Sequence, residues 1–216
     1  MTHTGRPATG ETLNAPGAET VPRQAASVIL VRGGSQALEL LLVKRTEQAR
    51  FMGGAWVFPG GGVDFHEGEG DAAHRRAAVR ELAEEAGVDL ADAAGATLVK
   101  FSRWITPPQL LIRFDTHFFL AAAPPDAEVV VDGCECVDFR WCTPQTALDV
   151  HAAGEIQLVY PTIKHLEQLA RFSSADALLA GVAGREVVAV QPRLVGSGET
   201  ARILLPGEPG YDRPRS

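Results

Sequence analysis

The stretch Arg80-Glu81-Leu82-Ala83-Glu84-Glu85-Ala86-Gly87-Val88 constrains this chain more than any other. Positions i, i+3 and i+4 share one face of an α-helix, so a helical reading makes Glu81, Glu84 and Glu85 converge. The apolar spacing predicts a helix over residues 71–86. It places Ala72, Val79, Ala83 and Ala86 opposite the carboxylates, with Leu82 beside them. Gly87 supplies a left-handed stop. Three carboxylates on one face repel one another unless a cation lies among them. The face is therefore either a solvated acidic surface or a site for a hard divalent cation with oxygen ligands, Mg²⁺ or Mn²⁺.

The residues upstream decide between these. Trp56-Val57-Phe58 reads as a short apolar strand that runs into Pro59-Gly60-Gly61-Gly62 and an acidic loop before the helix. Consecutive glycines allow positive φ and close approach of the backbone to a ligand. Strand, glycine turn and acid-bearing helix together describe a site for a metal-bound phosphate. Here the sequence resembles the Nudix hydrolases, whose signature is G-x5-E-x7-R-E-U-x-E-E-x-G-U, with U aliphatic. Residues Arg80 to Val88 match its second half, and Gly61 followed by Glu67 matches the first. The spacer departs from the pattern: twelve residues, 68–79, separate Glu67 from Arg80. That leaves Glu67 and Glu69 as candidates for the first glutamate.

The resemblance implies an α/β fold, an α/β/α sandwich around a mixed β-sheet. It implies a metal-dependent hydrolase of a diphosphate linkage in a small nucleotide substrate. Glu81, Glu84 and Glu85 would hold Mg²⁺ or Mn²⁺, and backbone amides near Gly60, Gly61 and Gly62 would face the diphosphate. Arg80 pairs with a neighbouring glutamate and holds the carboxylates in geometry. A glutamate just before a later strand is common in these enzymes, which makes Glu135 a candidate for the general base. Its alternatives are a helix glutamate in that role, and for Glu135 itself a solvated loop acid.

Two flanking segments bear on the substrate. Arg45-Thr46-x3-Arg50-x3-Gly54-x3-Phe58-Pro59-Gly60-Gly61 is similar to the motif upstream of the Nudix signature in coenzyme A diphosphatases. Trp104-Ile105-Thr106-Pro107, Arg113 to Phe119 and Trp141-x-Thr143-Pro144 look like the peroxisomal branch of that group, which also has a lengthened spacer. The implied substrate is coenzyme A or an acyl derivative. Other substrates of the same class are ADP-ribose, NADH, a dinucleotide or a damaged nucleotide. A non-catalytic binding module is the remaining reading, against which the intact acids argue. Arg45, Arg50 and Arg113 are candidates for substrate phosphate, since arginine binds it in bidentate fashion. The alternatives are surface charges, or for Arg113 a structural pair with Asp115 or a glutamate. Trp56 and Trp104 read as core before stacking platforms, His74 as an exposed histidine on the carboxylate side, and His117 as a satisfied strand histidine.

A net charge of −7 over 216 residues gives no basic footprint for nucleic acid. Cys134, Cys136 and Cys142 are odd in number and lack a framework spacing, as in a reducing compartment. Cys134 and Cys136 read as small residues on one strand face rather than zinc ligands. No apolar run is long enough to span a membrane, and the expected location is the cytoplasm. A homodimer is an expectation from the resemblance alone.

Residues 1–22 read as a flexible tail, 23–172 as the hydrolase domain and 173–216 as an extension packed on it. Residues 24–32 and 37–45 read as a hairpin. Strands are expected at 97–104, 114–121, 137–141, 186–190 and 201–205. Helices are expected at 143–152, 161–172 and 174–179, the first with Thr143 as cap and Pro144 at its first position.

Overall fold

The structure is a computed structural model that describes residues 13–14, 19–49, 52–90, 98–196 and 202–212. It is an α/β/α sandwich. Strand β1 (Arg23–Arg32) runs through its middle and is buried from Ala25 to Val31. Its side chains alternate: Ile29 and Val31 enter one apolar cluster, Ala26, Val28 and Leu30 the other. A strand so apolar on both faces needs a helical layer on each side.

Among the described residues the sheet has eight strands in the order β3-β2-β1-β6-β5-β8, with β4 beside β1 and β7 beside β2. Their ranges are β2 Glu39–Arg45, β3 Trp56–Val57, β4 Gly60–Gly62, β5 Val99–Ile105, β6 Phe114–Ala122, β7 Cys136–Cys142 and β8 Ala189–Val190. β1 pairs in parallel with β6, and β5 with β8. The other pairings are antiparallel. Helix α1 (Gly70–Ala86) covers one face through Ala77, Ala78, Leu82 and Ala86. Helices α2 (Pro144–Ala152), α3 (Tyr160–Leu169) and α4 (Ala175–Val182) cover the other through Ala147, Leu166, Leu169 and Leu178. A separate hairpin, β9 (Arg193–Val195) with β10 (Arg202–Leu204), follows β8.

Local signals account for several boundaries. The Thr143 hydroxyl accepts from the Thr146 amide at 3.1 Å with Pro144 in the first turn, and Ser174 caps α4 through the Ala177 amide at 3.2 Å. Gly87 ends α1 in the left-handed region with φ 68°.

Other expectations change. Gly60–Gly62 is a strand, not a turn, paired with β1 through Ala25↔Gly62 and Ala26↔Gly61. Helix α1 buries Ala73, His74, Ala77, Ala78, Leu82, Glu85 and Ala86. Ala72 is exposed, and Val79 and Ala83 are half-buried. The helix is therefore rotated from the expected setting and turns one edge of its acidic face inward. A neighbouring strand of glycines leaves room for those carboxylates. Helix α3 stops at Leu169, α4 continues to Val182, and β9 had no expected counterpart. Cys136 and Cys142 are buried in β7, whereas Cys134 is exposed ahead of it.

Leu13 and Asn14, expected in a flexible tail, lie against the loop before β6. The Asn14 amide donates to the carbonyls of Pro108 and Leu110 at 2.9 Å each. Among the described residues no helix is long and apolar enough to cross a membrane.

Candidate active site

Arg80 lies at the centre of the acidic cluster. Its Nε donates to Glu67 Oε1 at 3.0 Å, and one Nη1 donates to both Glu81 Oε1 at 2.9 Å and Glu84 Oε2 at 2.8 Å. Its Nη2 donates to the Gly62 carbonyl at 2.8 Å. These partners raise the guanidinium pKa against the opposing effect of burial. Glu67 is almost wholly buried and also accepts from the Asp64 amide at 2.7 Å. Burial pushes its pKa up, but the Arg80 and Asp64 hydrogen bonds and the Arg80 charge hold it below the ordinary value. Glu69 is the residue before α1, exposed and without a side-chain capping bond. Of the two candidates for the first glutamate, the one that meets Arg80 is thus Glu67. The short 3-10 turn Phe65–Glu67 lies back along the helix, and Arg76 Nε donates to the Glu67 carbonyl at 3.0 Å.

The three helix acids differ. Glu84 is exposed. Glu81 is largely buried against β4, and its pKa is raised by burial, with Glu84 and Glu135 adding to the rise and Arg80 opposing it. A Cβ added at Gly61 would stand 2.5 Å from the Glu81 carboxyl carbon. The need for glycine there is space for a carboxylate, not a positive φ. Glu85 is 3 % exposed. Its Oε2 accepts from the Gly60 amide at 2.8 Å, while Arg45 Nη1 stands 3.7 Å from Oε1. Burial lifts this carboxyl to about 7, against the Gly60 hydrogen bond and the Arg45 charge. Glu85 Oε1 and Arg45 Nε are both buried without a hydrogen-bond partner.

The expected convergence is thereby corrected. Arg80 draws Glu81 and Glu84 to one nitrogen, and Glu85 turns to Gly60. Among the described residues no three acid, histidine or cysteine side chains already form a cage for an ion. Even so, the residues fit a divalent cation. Glu85 Oε1 is buried with no hydrogen bond and only the Arg45 charge 3.7 Å away, and burial favours the neutral form of both Glu81 and Glu85. One Arg80 guanidinium is shared among Glu67, Glu81 and Glu84, which leaves the acids in excess of the cations beside them, and hard oxygen donors suit Mg²⁺ or Mn²⁺.

A cavity of about 750 Å³ opens beside these residues, lined at this end by Arg45, Gly60, Gly61, Gly62, Arg80, Glu81, Glu84 and Glu135. Glu135 is exposed in the loop before β7, and Asp132 shapes that loop. The Asp132 carboxylate accepts from the amides of Cys134 at 3.1 Å, Glu135 at 2.8 Å and Cys136 at 2.8 Å. Asp132 was missed by sequence reasoning, although Asp followed by Gly is a turn signal.

A sequence model of the NUDIX domain matches residues 21–161. The chain belongs to the Nudix hydrolase family. It is 31 % identical over 188 residues to nudix hydrolase 7 of Caenorhabditis elegans, which covers 71 % of this chain and 62 % of that protein. It is 30 % identical over 119 residues to the acyl-coenzyme A diphosphatase NUDT19 of Homo sapiens, covering 53 % of this chain and 32 % of that one. The chain thus spans less than two thirds of these relatives' lengths. A crystal structure of a NUDIX hydrolase from Alicyclobacillus acidocaldarius superposes with a TM-score of 0.68 at 27 % identity, over 78 % of this chain and all of that one.

The Nudix helix and glycine strand therefore stand together, as the signature requires. Gly60 lines the cavity, but its amide is already taken by Glu85. Arg45 joins the cavity wall. Arg50 lies outside the described residues. Arg113 takes the structural alternative, a pair with a glutamate, and not a substrate position: it is buried outside the cavity lining, with Nε donating to the Thr106 carbonyl at 3.1 Å and Nη1 to Glu19 at 3.0 Å. Asp115 instead pairs with Arg103, at 2.8 Å and 2.6 Å. His74 is buried, not exposed, and stacks on His117 with ring centroids 3.8 Å apart. Trp56 and Trp104 both belong to the core, and Trp104 also lines the cavity.

Proposed function

We propose that this Nudix protein hydrolyses the diphosphate linkage of a nucleoside diphosphate derivative, with coenzyme A or acyl-coenzyme A as substrate. The observation that carries the hydrolytic reading is the pair Glu81 and Glu85, both raised in pKa by burial, Glu81 lining the cavity and Glu85 held behind it by the Gly60 amide and the Arg45 charge. The coenzyme A reading is supported by the flanking motifs and by the similarity to an acyl-coenzyme A diphosphatase.

Glu81, Glu84 and Glu85 would hold Mg²⁺ or Mn²⁺, which when bound neutralises diphosphate charge and lowers the pKa of a water. Arg80 fixes the acids from behind through Glu67 and the Gly62 carbonyl. Arg45 offers a guanidinium to phosphate from the cavity wall. Glu135 takes the proton from the attacking water as its oxygen bonds to one phosphorus in line with the bridging oxygen. The bridging P–O bond breaks, giving from coenzyme A 3′,5′-ADP and 4′-phosphopantetheine, or its acyl form. The catalytic unit in this reading is residues 23–172, with residues 173–216 packed on it.

The test is hydrolysis of a diphosphate panel in Mg²⁺ and in Mn²⁺. Coenzyme A or an acyl derivative should be cut fastest, and Glu84→Gln should reduce turnover. If coenzyme A is cut no faster than ADP-ribose, the substrate assignment fails. If nothing is cut and Glu84→Gln leaves ligand binding unchanged, the chain is a binding module.

A further inference from the structure

The cavity does not end at the acids. It is lined in turn by Gly61 on β4, Ser27 on β1, Thr116 on β6 and Trp104 on β5, and so crosses the sheet. From β4 to β5 is three strand spacings, about 14 Å. Among the described residues, every carboxylate and guanidinium in the lining belongs to Arg45, Arg80, Glu81, Glu84 and Glu135, at the diphosphate end. The far arm is closed by Leu194 and Ile203, which face each other across the β9–β10 hairpin. That hairpin is pinned to the body of the fold. Val190 of β8 pairs with Trp104, the Tyr211 hydroxyl donates to the Gln191 carbonyl at 2.7 Å, and the Gln109 side chain donates to the Leu194 carbonyl at 3.3 Å.

We propose that this arm is an acyl-chain subsite and that Leu194 and Ile203, in the extension beyond the matched NUDIX domain, set the chain length it accepts. The inference rests on the reading of the chain as an acyl-coenzyme A diphosphatase. The occupant must be uncharged, apolar and joined to the diphosphate by a slender linker long enough to cross the strands from β4 to β5, about 14 Å, and reach beyond them. An alkyl chain in thioester linkage to the end of a pantetheine arm has that form. Among the described residues of that arm, a phosphorylated or acidic group would meet no lysine or arginine, at a large desolvation cost.

The test compares free coenzyme A with butyryl-, hexanoyl- and octanoyl-coenzyme A on the full chain, alongside Leu194→Ser and Ile203→Ser. In the unaltered protein KM should fall about fourfold per buried methylene until the arm is full. In the variants the dependence on chain length should flatten while kcat/KM for free coenzyme A stays within twofold. A KM indifferent to chain length in the unaltered protein overturns the inference. So does an equal loss for free and octanoyl-coenzyme A in the variants, which marks the hairpin as structural support only. Direct binding of octanoyl-pantetheine, which carries no phosphate, separates this from failure of the diphosphatase reading. Calorimetry should show binding to the unaltered protein, weakened at least tenfold by Leu194→Ser. No binding overturns the subsite whichever diphosphate is cut. Binding without hydrolysis of any coenzyme A thioester keeps the subsite and overturns the diphosphatase reading.

Discussion

Replacing Glu85 by Gln should make the metal-free protein respond to pH in a way that reports the charge missing from the site. Burial raises the Glu85 carboxyl from an ordinary 4.5 to about 7. A folded-state pKa above the unfolded one favours the protonated form, so this contribution is fully present below 4.5 and is lost as pH rises through 7. The ionised carboxylate then costs the folded state about 3 kcal/mol at pH 8 and under about 1 kcal/mol at pH 5. Glutamine keeps an oxygen for the Gly60 amide, 2.8 Å away in the parent, and carries no charge at either pH. Urea unfolding in EDTA should therefore show Glu85→Gln gaining about 2 kcal/mol relative to the parent between pH 5 and pH 8. Saturating Mn²⁺ at pH 8 should stabilise the parent by about 3 kcal/mol at one hundred times its dissociation constant, and the variant far less. Turnover by the variant should fall at least about 100-fold, as for loss of a ligand to a Lewis-acidic ion. A stability difference that stays flat with pH, or equal stabilisation of both proteins by Mn²⁺, would refute this reasoning.

Two further outcomes follow from other buried groups. His165 is fully buried among Phe58, Phe101, Trp104 and Phe118, and burial lowers its pKa to about 3. A depressed histidine contributes stability above its unfolded pKa that is lost as pH falls. His165→Asn should thus gain about 2 kcal/mol relative to the parent between pH 8 and pH 5, measured by urea unfolding with Glu85 already changed to Gln in both. Gly61→Ala should push the Glu81 carboxylate from its place, lowering kcat at least about tenfold while the urea midpoint moves by under about 1 kcal/mol in free energy. Unchanged turnover would show that Glu81 works from elsewhere.

The parts of the fold that are local in origin were legible. Arg80 to Gly87 marks the helix and its end because spacing and a glycine stop act within a few residues. Thr143-Pro144 marks α2 because a cap and a fixed φ need no partner from afar. The apolar runs around Gly33-Gly34 give the first hairpin for the same reason. The setting of α1 was not legible. Its exposed and buried alanines are chemically alike, and the choice of face is made by what packs opposite, the apolar side chains of β1 beside a glycine strand that has none. That strand was itself hidden, because three glycines have turn chemistry and become a strand only through pairing with β1. The same holds for the cavity. Glu81, Glu84 and Arg45 could be chosen from their motifs. Leu194 and Ile203, by contrast, are ordinary apolar residues until β8 carries their hairpin to the edge of the sheet. Glu135 was chosen through the resemblance, and the hydrogen bonds of Asp132 show the loop that carries it.

The lengthened spacer gives a final test, because the structure assigns its two glutamates opposite fates. Arg80 divides one positive charge among Glu67, Glu81 and Glu84. Glu67 is the buried partner and does not line the cavity, so it anchors the guanidinium from the side away from substrate. Removing its charge by Glu67→Gln leaves Arg80 leaning on Glu81 and Glu84, where it competes with a divalent ion for the same oxygens. Apparent metal affinity should fall about tenfold, the usual scale for loss of a residue that orients ligands, and excess Mn²⁺ should restore kcat. Glu69→Gln, at an exposed position with no side-chain capping bond, should leave metal affinity and kcat within twofold. Mn²⁺ titrations of activity on the two variants decide the matter. If Glu69→Gln is the variant that needs more metal, the 3-10 turn does not hold Glu67 against Arg80 in solution. The first glutamate of the signature would then be Glu69.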